Sequence, residues 1–308
     1  MTFKIKEFSE LNKENLREIY NLYIENEIHF VVPFDIFKRG TIDDNDFDKQ
    51  LTLIVNDENN ETPIAFLIAI MREKINPNTC YIKAILVDKK YRRQGIGNAM
   101  LNELIKRALE KNPLLSLISY GDSVPNYWEP GVDLRHTSLI FFFKKNRFRS
   151  YRLRQNLTVH LNNLNLNPKK KINNFVLQRI AEEDFRNTVN FVKSNFPEGT
   201  WAEEVELTFE NTPPTTFIAK NEKGEIIGWA SYNQQFPGSF GPTGVSLSLR
   251  GKGIGTELLY WCLWDMKNNG LDKCTIMWVE GDTVKFYSKI LDAYIYPVFY
   301  PMMLKIKR

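Results

Sequence analysis

Only three cysteines and three histidines occur among the 308 residues, and neither set is spaced to hold a metal or a disulfide framework. Cys80, Cys262 and Cys274 are odd in number and embedded in apolar stretches, as expected of reduced core thiols in a cytoplasmic protein. His29, His136 and His160 are scattered, so no zinc site is expected. No apolar run approaches the ~20 residues that span a bilayer. The opening Met1-Thr2-Phe3-Lys4-Ile5-Lys6 alternates like a strand and lacks a signal-peptide apolar region. A net charge of +4 is too mild to argue for nucleic acid, and the basic clusters Lys169-Lys170-Lys171 and Lys305, Lys307, Arg308 fall in a linker and at a terminus, where solvation accounts for them. What remains is an ordinary globular composition, long enough for two domains of about 150 residues.

The chain does contain a repeated glycine turn. Val87-Asp88-Lys89-Lys90-Tyr91-Arg92-Arg93-Gln94-Gly95-Ile96-Gly97 is matched 158 positions later by Val245-Ser246-Leu247-Ser248-Leu249-Arg250-Gly251-Lys252-Gly253-Ile254-Gly255. Each copy predicts an apolar strand, a basic Arg-x-x-Gly-x-Gly turn and a helix, a geometry that aims backbone N–H groups and a positive helix end at one point, as a phosphate requires. The helices repeat in register. Apolar residues fall at Ile96, Met100, Leu101, Leu104, Ile105 and Ala108, and again at Ile254, Leu258, Leu259, Cys262, Leu263 and Met266, one buried stripe in each. Asn112-Pro113 and Asn269-Gly270 stop the two helices.

Around each turn the halves share a plan. In the first, the pattern predicts a strand from Phe3 to Phe8, a helix from Glu14 to Asn26 and a helical stretch within 33–49. A hairpin of Leu51–Val55 and Pro63–Met71 turns at Asn56-Asp57-Glu58-Asn59-Asn60, a strand ends at Tyr120, a short helix covers Ser138–Lys145, and strands through Arg149–Leu161 close the domain. In the second, the strand at Phe175–Ile180, helices over 183–195 and 201–210, a hairpin around Asn221-Glu222-Lys223-Gly224 and a short helix over Thr283–Lys289 repeat it. The expected boundaries are a first domain at 1–161, an Asn- and Lys-rich linker at 162–174 and a second domain at 175–308. The first copy carries a 14-residue insertion within 121–136.

This strand order, with Arg-x-x-Gly-x-Gly between the fourth strand and its helix, resembles the GNAT acetyltransferase family over nearly the whole chain, twice. The resemblance implies two tandem α/β folds, each a twisted, mainly antiparallel sheet flanked by helices, and acetyl-CoA as the acyl donor. It implies that the turn amides hold the CoA pyrophosphate, at Val245, Arg250, Gly251, Lys252, Gly253, Ile254 and Gly255 in the second copy and at Val87, Arg92, Arg93, Gly95 and Gly97 in the first. The backbone N–H of Val245 would steady the oxyanion. The family's second signature matches Phe286-Tyr287-Ser288-Lys289-Ile290-Leu291-Asp292-Ala293, with Asp292 where glycine is usual, and implies Tyr287 as the acid that protonates the departing thiolate. The corresponding residue of the first half is Phe143, which has no hydroxyl. That contrast places the chemistry in the second domain and makes the first a helper, its intact turn compatible with CoA binding.

Carboxylates at the expected acceptor entrance of the second domain are Glu280 and Asp282, the latter equally readable as a helix cap. Trp128 and Glu129 in the insertion, with Trp201, Tyr232 and Trp278, are the candidate acceptor contacts, although most such aromatics are core residues. The motifs also look like those of bacterial tandem GNAT proteins, some similar to glucosamine or glucosaminide N-acetyltransferases, and less closely like mycothiol synthase. The expected reaction is acetyl transfer to the primary amine of a small molecule, with an amino sugar favoured. Another small amine or a peptide amine, or a non-catalytic acyl-CoA sensor, are the alternatives. No nucleic-acid or membrane partner is expected, and a tandem pair is compatible with a monomer.

Overall fold

The computed structural model describes residues 4–8, 13–27, 29–57, 62–150, 152–197 and 199–307. Phe3 of the first expected strand, Glu58, Asn59 and Asn60 of the expected hairpin turn, and Arg308 of the terminal basic cluster lie outside the described residues. The chain divides into two compact units, Met1–Arg154 with Phe299–Arg308, and Gln155–Val298.

The first unit runs β1 (Ile5–Glu7), α1 (Lys13–Asn26), α2 (Phe34–Arg39), β2 (Leu53–Asn56), β3 (Pro63–Met71), β4 (Thr79–Val87), α3 (Ile96–Lys111), β5 (Leu117–Tyr120), β6 (Val132–Asp133) and α4 (Thr137–Lys145). The central strands β3 and β4 are apolar and buried along most of their length, because helices cover both faces of the sheet. Helix α3 buries Ile96, Met100, Leu101, Leu104 and Ala108, the stripe expected from its spacing. Because α3 carries the chain over the sheet, β4 and β5 are parallel while the other pairs are antiparallel.

In the second unit, β7 (Arg154–His160), which starts at the boundary, is followed by β8 (Lys171–Ile172), β9 (Phe175–Arg179), α5 (Phe185–Asn195), α6 (Trp201–Leu207), β10 (Thr216–Lys220), β11 (Ile226–Tyr232), β12 (Ser239–Val245), α7 (Ile254–Asn268), β13 (Lys273–Val279), α8 (Asp282–Ile290) and β14 (Tyr294–Tyr300). Within this unit the sheet runs β14-β7-β13-β12-β11-β10-β9-β8. Again one pair is parallel, β12 with β13 across α7. The last strand, β15 (Met302–Lys305), returns to the first unit and pairs antiparallel with β5, so that sheet runs β1-β2-β3-β4-β5-β15.

Two expectations change here. The strand read as closing the first domain, β7, pairs instead with β13 in the second unit (Leu157 opposite Ile276), and the first unit is closed by β15 from the end of the chain. Alternation of apolar and polar residues identifies a strand but not the edge it joins, and two copies of one fold offer two equivalent edges. The helical stretch expected within 33–49 is only α2. Gly40 ends it, and Asp44 is drawn inward by Arg72 and Lys83.

Candidate active site

Both glycine turns form as expected. Gly95 and Gly253 precede their helices with φ of 87° and 84°, a left-handed conformation that glycine adopts without strain. In each turn the arginine folds back on the strand it follows: Arg92 Nε donates to the Val87 carbonyl at 2.9 Å and Arg250 Nε to the Val245 carbonyl at 3.4 Å. Both parallel strand pairs also part. Strand β4 pairs with β5 only from Thr79 to Ile82, and β12 with β13 only at Ser239 and Phe240.

What occupies the space beyond differs. In the first unit the parting strands open a cavity of about 990 Å³ that runs from the turn residues Arg92, Arg93, Gly95 and Gly97 along β4 to Tyr120, Trp128 and Glu129. Strand β4 bulges at Lys83, which has no partner between the Ile68–Ala84 and Ala69–Ile82 pairs. The Lys83 side chain is buried beneath the cavity, donating to Asp44 Oδ2 at 2.7 Å, with its ammonium 5.9 Å from the Trp128 ring centre. Burial pushes its pKa down to about 8, although Asp44 opposes the shift. Arg72 holds the same Asp44 through two further hydrogen bonds, at 2.5 and 2.9 Å.

The cavity lining carries both signs of charge. At the turn it holds Arg92 and Arg93, Lys89 and Lys90 are exposed just before them, and α3 begins with no acidic residue in its first turn. Glu27 and Glu129 line the same cavity. Glu27 Oε1 accepts hydrogen bonds from the His29 and Phe30 amides at 2.7 and 3.1 Å and pairs with His136 Nε2 at 3.1 Å. Burial alone would raise the Glu27 pKa, but these hydrogen bonds outweigh it and hold the carboxyl below its usual range. Glu129 is the reverse case. Its side chain has no hydrogen bond among the described residues, and desolvation, reinforced by Glu27 and Asp133, pushes it well above the carboxylate range. Arg135 is engaged with Asp133, Nη2 to Oδ2 at 2.5 Å.

The second turn is more crowded at the glycine that precedes its helix. A side-chain carbon at Gly95 would meet nothing within 4 Å, whereas one at Gly253 would lie 3.0 Å from Ile172 Cδ1. Ile172 belongs to β8, in the segment expected to be a linker. Lys169 from that segment donates its amide to Glu257 Oε2 at 2.9 Å and accepts from Trp261 Nε1 at 2.9 Å. Glu257 is therefore a buried carboxylate in the first turn of α7, where an anion would have to bind, and the matching residue of α3 is Ala99.

Tyr287, the expected acid, is 3 % exposed and packs in the core of the second unit beside Phe240. Burial raises its hydroxyl far above the ordinary tyrosine value. Glu280 is half-buried after β13, and Asp282 is exposed at the start of α8, whose cap is Gly281. The expected acceptor contacts separate. Trp128 and Glu129 line the first unit's cavity, although one face of Trp128 is stacked on Phe37 at 5.1 Å. Trp201 packs against Phe196 and Trp229, Tyr232 is buried with its hydroxyl on Asp265, and the Trp278 amide donates to Asn156 Oδ1 at 2.8 Å. Those three have structural settings in the second unit. The sequence reading missed Glu27, His136 and Tyr120. Glu27 and His136 carry no local pattern because their pairing spans 109 positions, whereas Tyr120 ends the strand beside the turn and could have been noticed.

Comparison with known proteins agrees with this arrangement. The family model described as the acetyltransferase (GNAT) family matches residues 14–120 and again 177–292. Among solved structures, the glucosamine N-acetyltransferase region of a fungal multi-domain GH3 beta-N-acetylglucosaminidase superposes with a TM-score of 0.74 at 18 % identity, covering 98 % of this chain and 38 % of that one. This chain thus spans well under half of that fungal protein. A GCN5-related N-acetyltransferase from Sphaerobacter thermophilus gives 0.73 at 14 % identity, over 99 % and 96 % of the two chains. A tandem GNAT protein from the clavulanic acid biosynthesis pathway gives 0.70 at 13 %, over 100 % and 99 %. No curated protein sequence matches the chain. At these identities the structures speak for the fold alone, a tandem GNAT architecture.

Proposed function

Since the chain belongs to the GNAT acetyltransferase family, with two tandem copies of the fold, we propose that its first unit transfers acetyl from acetyl-CoA to the primary amine of a small molecule, an amino sugar being the favoured acceptor. The observation that carries this reading is one cavity lined both by the cationic glycine turn and by the carboxylates Glu27 and Glu129. The turn fits a CoA pyrophosphate because Gly95 leaves the space before α3 clear and the helix start carries no carboxylate. Glu27 and Glu129 fit an ammonium ion, and the polar groups of His29, His136 and Arg135, which line the same cavity, fit hydroxyl groups. When bound, the thioester supplies an activated acyl carbon to the amine.

The chain's own work is positioning and proton handling. The turn fixes one end of the donor, and β4, parted from β5, offers unpaired backbone groups along the opening. Glu129 Oε takes a proton from the amine nitrogen. A carboxylate kept in a poorly solvated wall is a stronger base than one in water, because its ionised form is the form burial destabilises. Glu27 stays ionised through its amide hydrogen bonds and adds negative potential that draws in a cation. This reading moves the chemistry expected at Tyr287, Glu280 and Asp282 into the first unit and leaves the second as a structural partner.

The test is release of free thiol from acetyl-CoA with glucosamine and a panel of small amines and peptides. Turnover with small amines and not with peptides is expected. Binding of acetyl-CoA without thiol release above background with any amine would instead identify a sensor.

A further inference from the structure

A thiolate leaving a thioester must take up a proton, and the helix position that the family resemblance assigns to this task is phenylalanine in the first unit. Phe143 is fully buried and has no ionisable group. Another hydroxyl stands against it. Tyr120, the last residue of β5, packs its ring on Phe143 with centroids 5.0 Å apart and lines the same cavity as the glycine turn and Glu129. Its position in the sheet is well determined, because its backbone is in register with Ile82 of β4 on one side and Met302 of β15 on the other. Ile82 is the last residue of β4 that β5 pairs, so Tyr120 stands where the strands part. Its hydroxyl makes no hydrogen bond among the described residues, whereas Tyr23 in the same wall is committed to the Phe30 carbonyl at 2.7 Å.

We infer that Tyr120 is the acid of the first unit, a strand residue whose ring packs against the phenylalanine that stands at the helix position of the resemblance. The inference rests on the reading that this cavity is the acetyl-CoA site. As the amine nitrogen bonds to the acyl carbon, the carbon–sulfur bond breaks with its electron pair on sulfur, and the Tyr120 Oη proton passes to that sulfur. An acceptor that binds as an ammonium ion first gives one proton to water; the proton that Glu129 then takes from the neutral amine nitrogen returns to the phenolate, so that proton's loss from nitrogen balances the one gained by sulfur, and both side chains end as they began. Burial, with Glu129 and Glu27 nearby, raises the tyrosine pKa and keeps the hydroxyl protonated until the thiolate forms.

The experiment compares wild type with Tyr120→Phe, which keeps the ring and its packing. Calorimetric affinity for CoA and for desulfo-CoA near pH 9 reads the contact to sulfur without turnover. A hydrogen bond to a charged group corresponds to a preference of about 10–100-fold for CoA in the wild type, and the variant is expected to lose it while binding desulfo-CoA within about threefold of wild type. Equal CoA to desulfo-CoA ratios in the two proteins overturn the inference, as does an equal loss of affinity for both ligands, which would make Tyr120 a packing residue. Turnover provides the second arm: a loss of about 10²–10⁴-fold with acetyl-CoA, reduced to less than about tenfold with an acetyl thioester of a more acidic thiol, whose departure needs no acid. A uniform loss with both donors overturns it. Absence of thiol release by the wild type with every amine would count against the functional reading, and the desulfo-CoA comparison would still decide the contact.

Discussion

The two glycine turns share their backbone, their stapling arginine and the strand parting beyond them, yet the first lines a cavity of about 990 Å³ while Ile172 crowds the second. Lys89, Lys90, Arg92 and Arg93 gather at the first, whereas the aligned residues of the second are Leu247, Ser248, Arg250 and Gly251, with Leu247 strongly exposed. Glu257 adds a buried carboxylate to the second helix start, and Ile172 covers the space that Gly95 leaves clear at the first. The same backbone motif can therefore stand in two different side-chain settings. The backbone amides can be in place while side chains from another segment decide whether an anion reaches them.

Matched changes in the two units can break this comparison. The largest effect is expected from Glu129→Gln, which should lower kcat by about 10²–10⁴-fold. In the wild type, kcat/KM should rise with pH through the Glu129 ionisation, because the base must be charged. The limb should lie above the ordinary carboxylate value of about 4.3, because burial and the neighbouring Glu27 and Asp133 raise this pKa. A pH–rate profile of the variant that keeps the limb would assign it to another group. Next, Arg92→Glu with Arg93→Glu should weaken acetyl-CoA binding about 10²-fold or more, the scale of losing charge-assisted contacts. Arg250→Glu should change it less than about threefold, and a calorimetric titration that ranks them the other way would return the donor to the second unit.

A stability measurement sharpens the structural role assigned to the second unit. Glu204 on α6 is buried, and desolvation with the adjacent Glu203 raises its pKa to about 8. A carboxyl with a raised folded-state pKa binds its proton more tightly when folded. Its contribution is therefore complete below the unfolded value, near 4.5, and is lost as pH rises towards 8. Glu204→Gln should match wild type near pH 4.5 and exceed it at pH 8 by on the order of 4 kcal/mol in denaturant unfolding. The smallest effect is expected from Tyr287→Phe, with turnover within about twofold of wild type and stability within about 1 kcal/mol. A large loss of kcat there would place the acid in the second unit after all.

Much of the fold was legible because it depends on local pattern. The α3 and α7 stripes, the glycine turns and the strands that feed them follow from residue spacing and from the conformations glycine allows, and each appears where expected. Strand partnership was not legible. The strand at Arg154–His160, expected to close the first domain, pairs with β13 instead, and Met302–Lys305 pairs with β5, so only long-range pairing distinguished the edges. The candidate site divides along the same line. Val87, Arg92, Arg93, Gly95, Gly97, Trp128 and Glu129 were singled out from sequence and share one cavity, whereas Glu27, His136 and Tyr120 join them from distant positions.

By itself, then, the order of residues determined two α/β copies, two phosphate-type turns and the absence of a hydroxyl at Phe143. Which turn is open, and whether a hydroxyl stands near Phe143 in space, were decided only by tertiary structure. Alignment compares positions along a chain, while chemistry depends on where side chains converge: Tyr120 reaches the Phe143 ring of α4 from strand β5, and Ile172 reaches Gly253 from a segment outside the repeat.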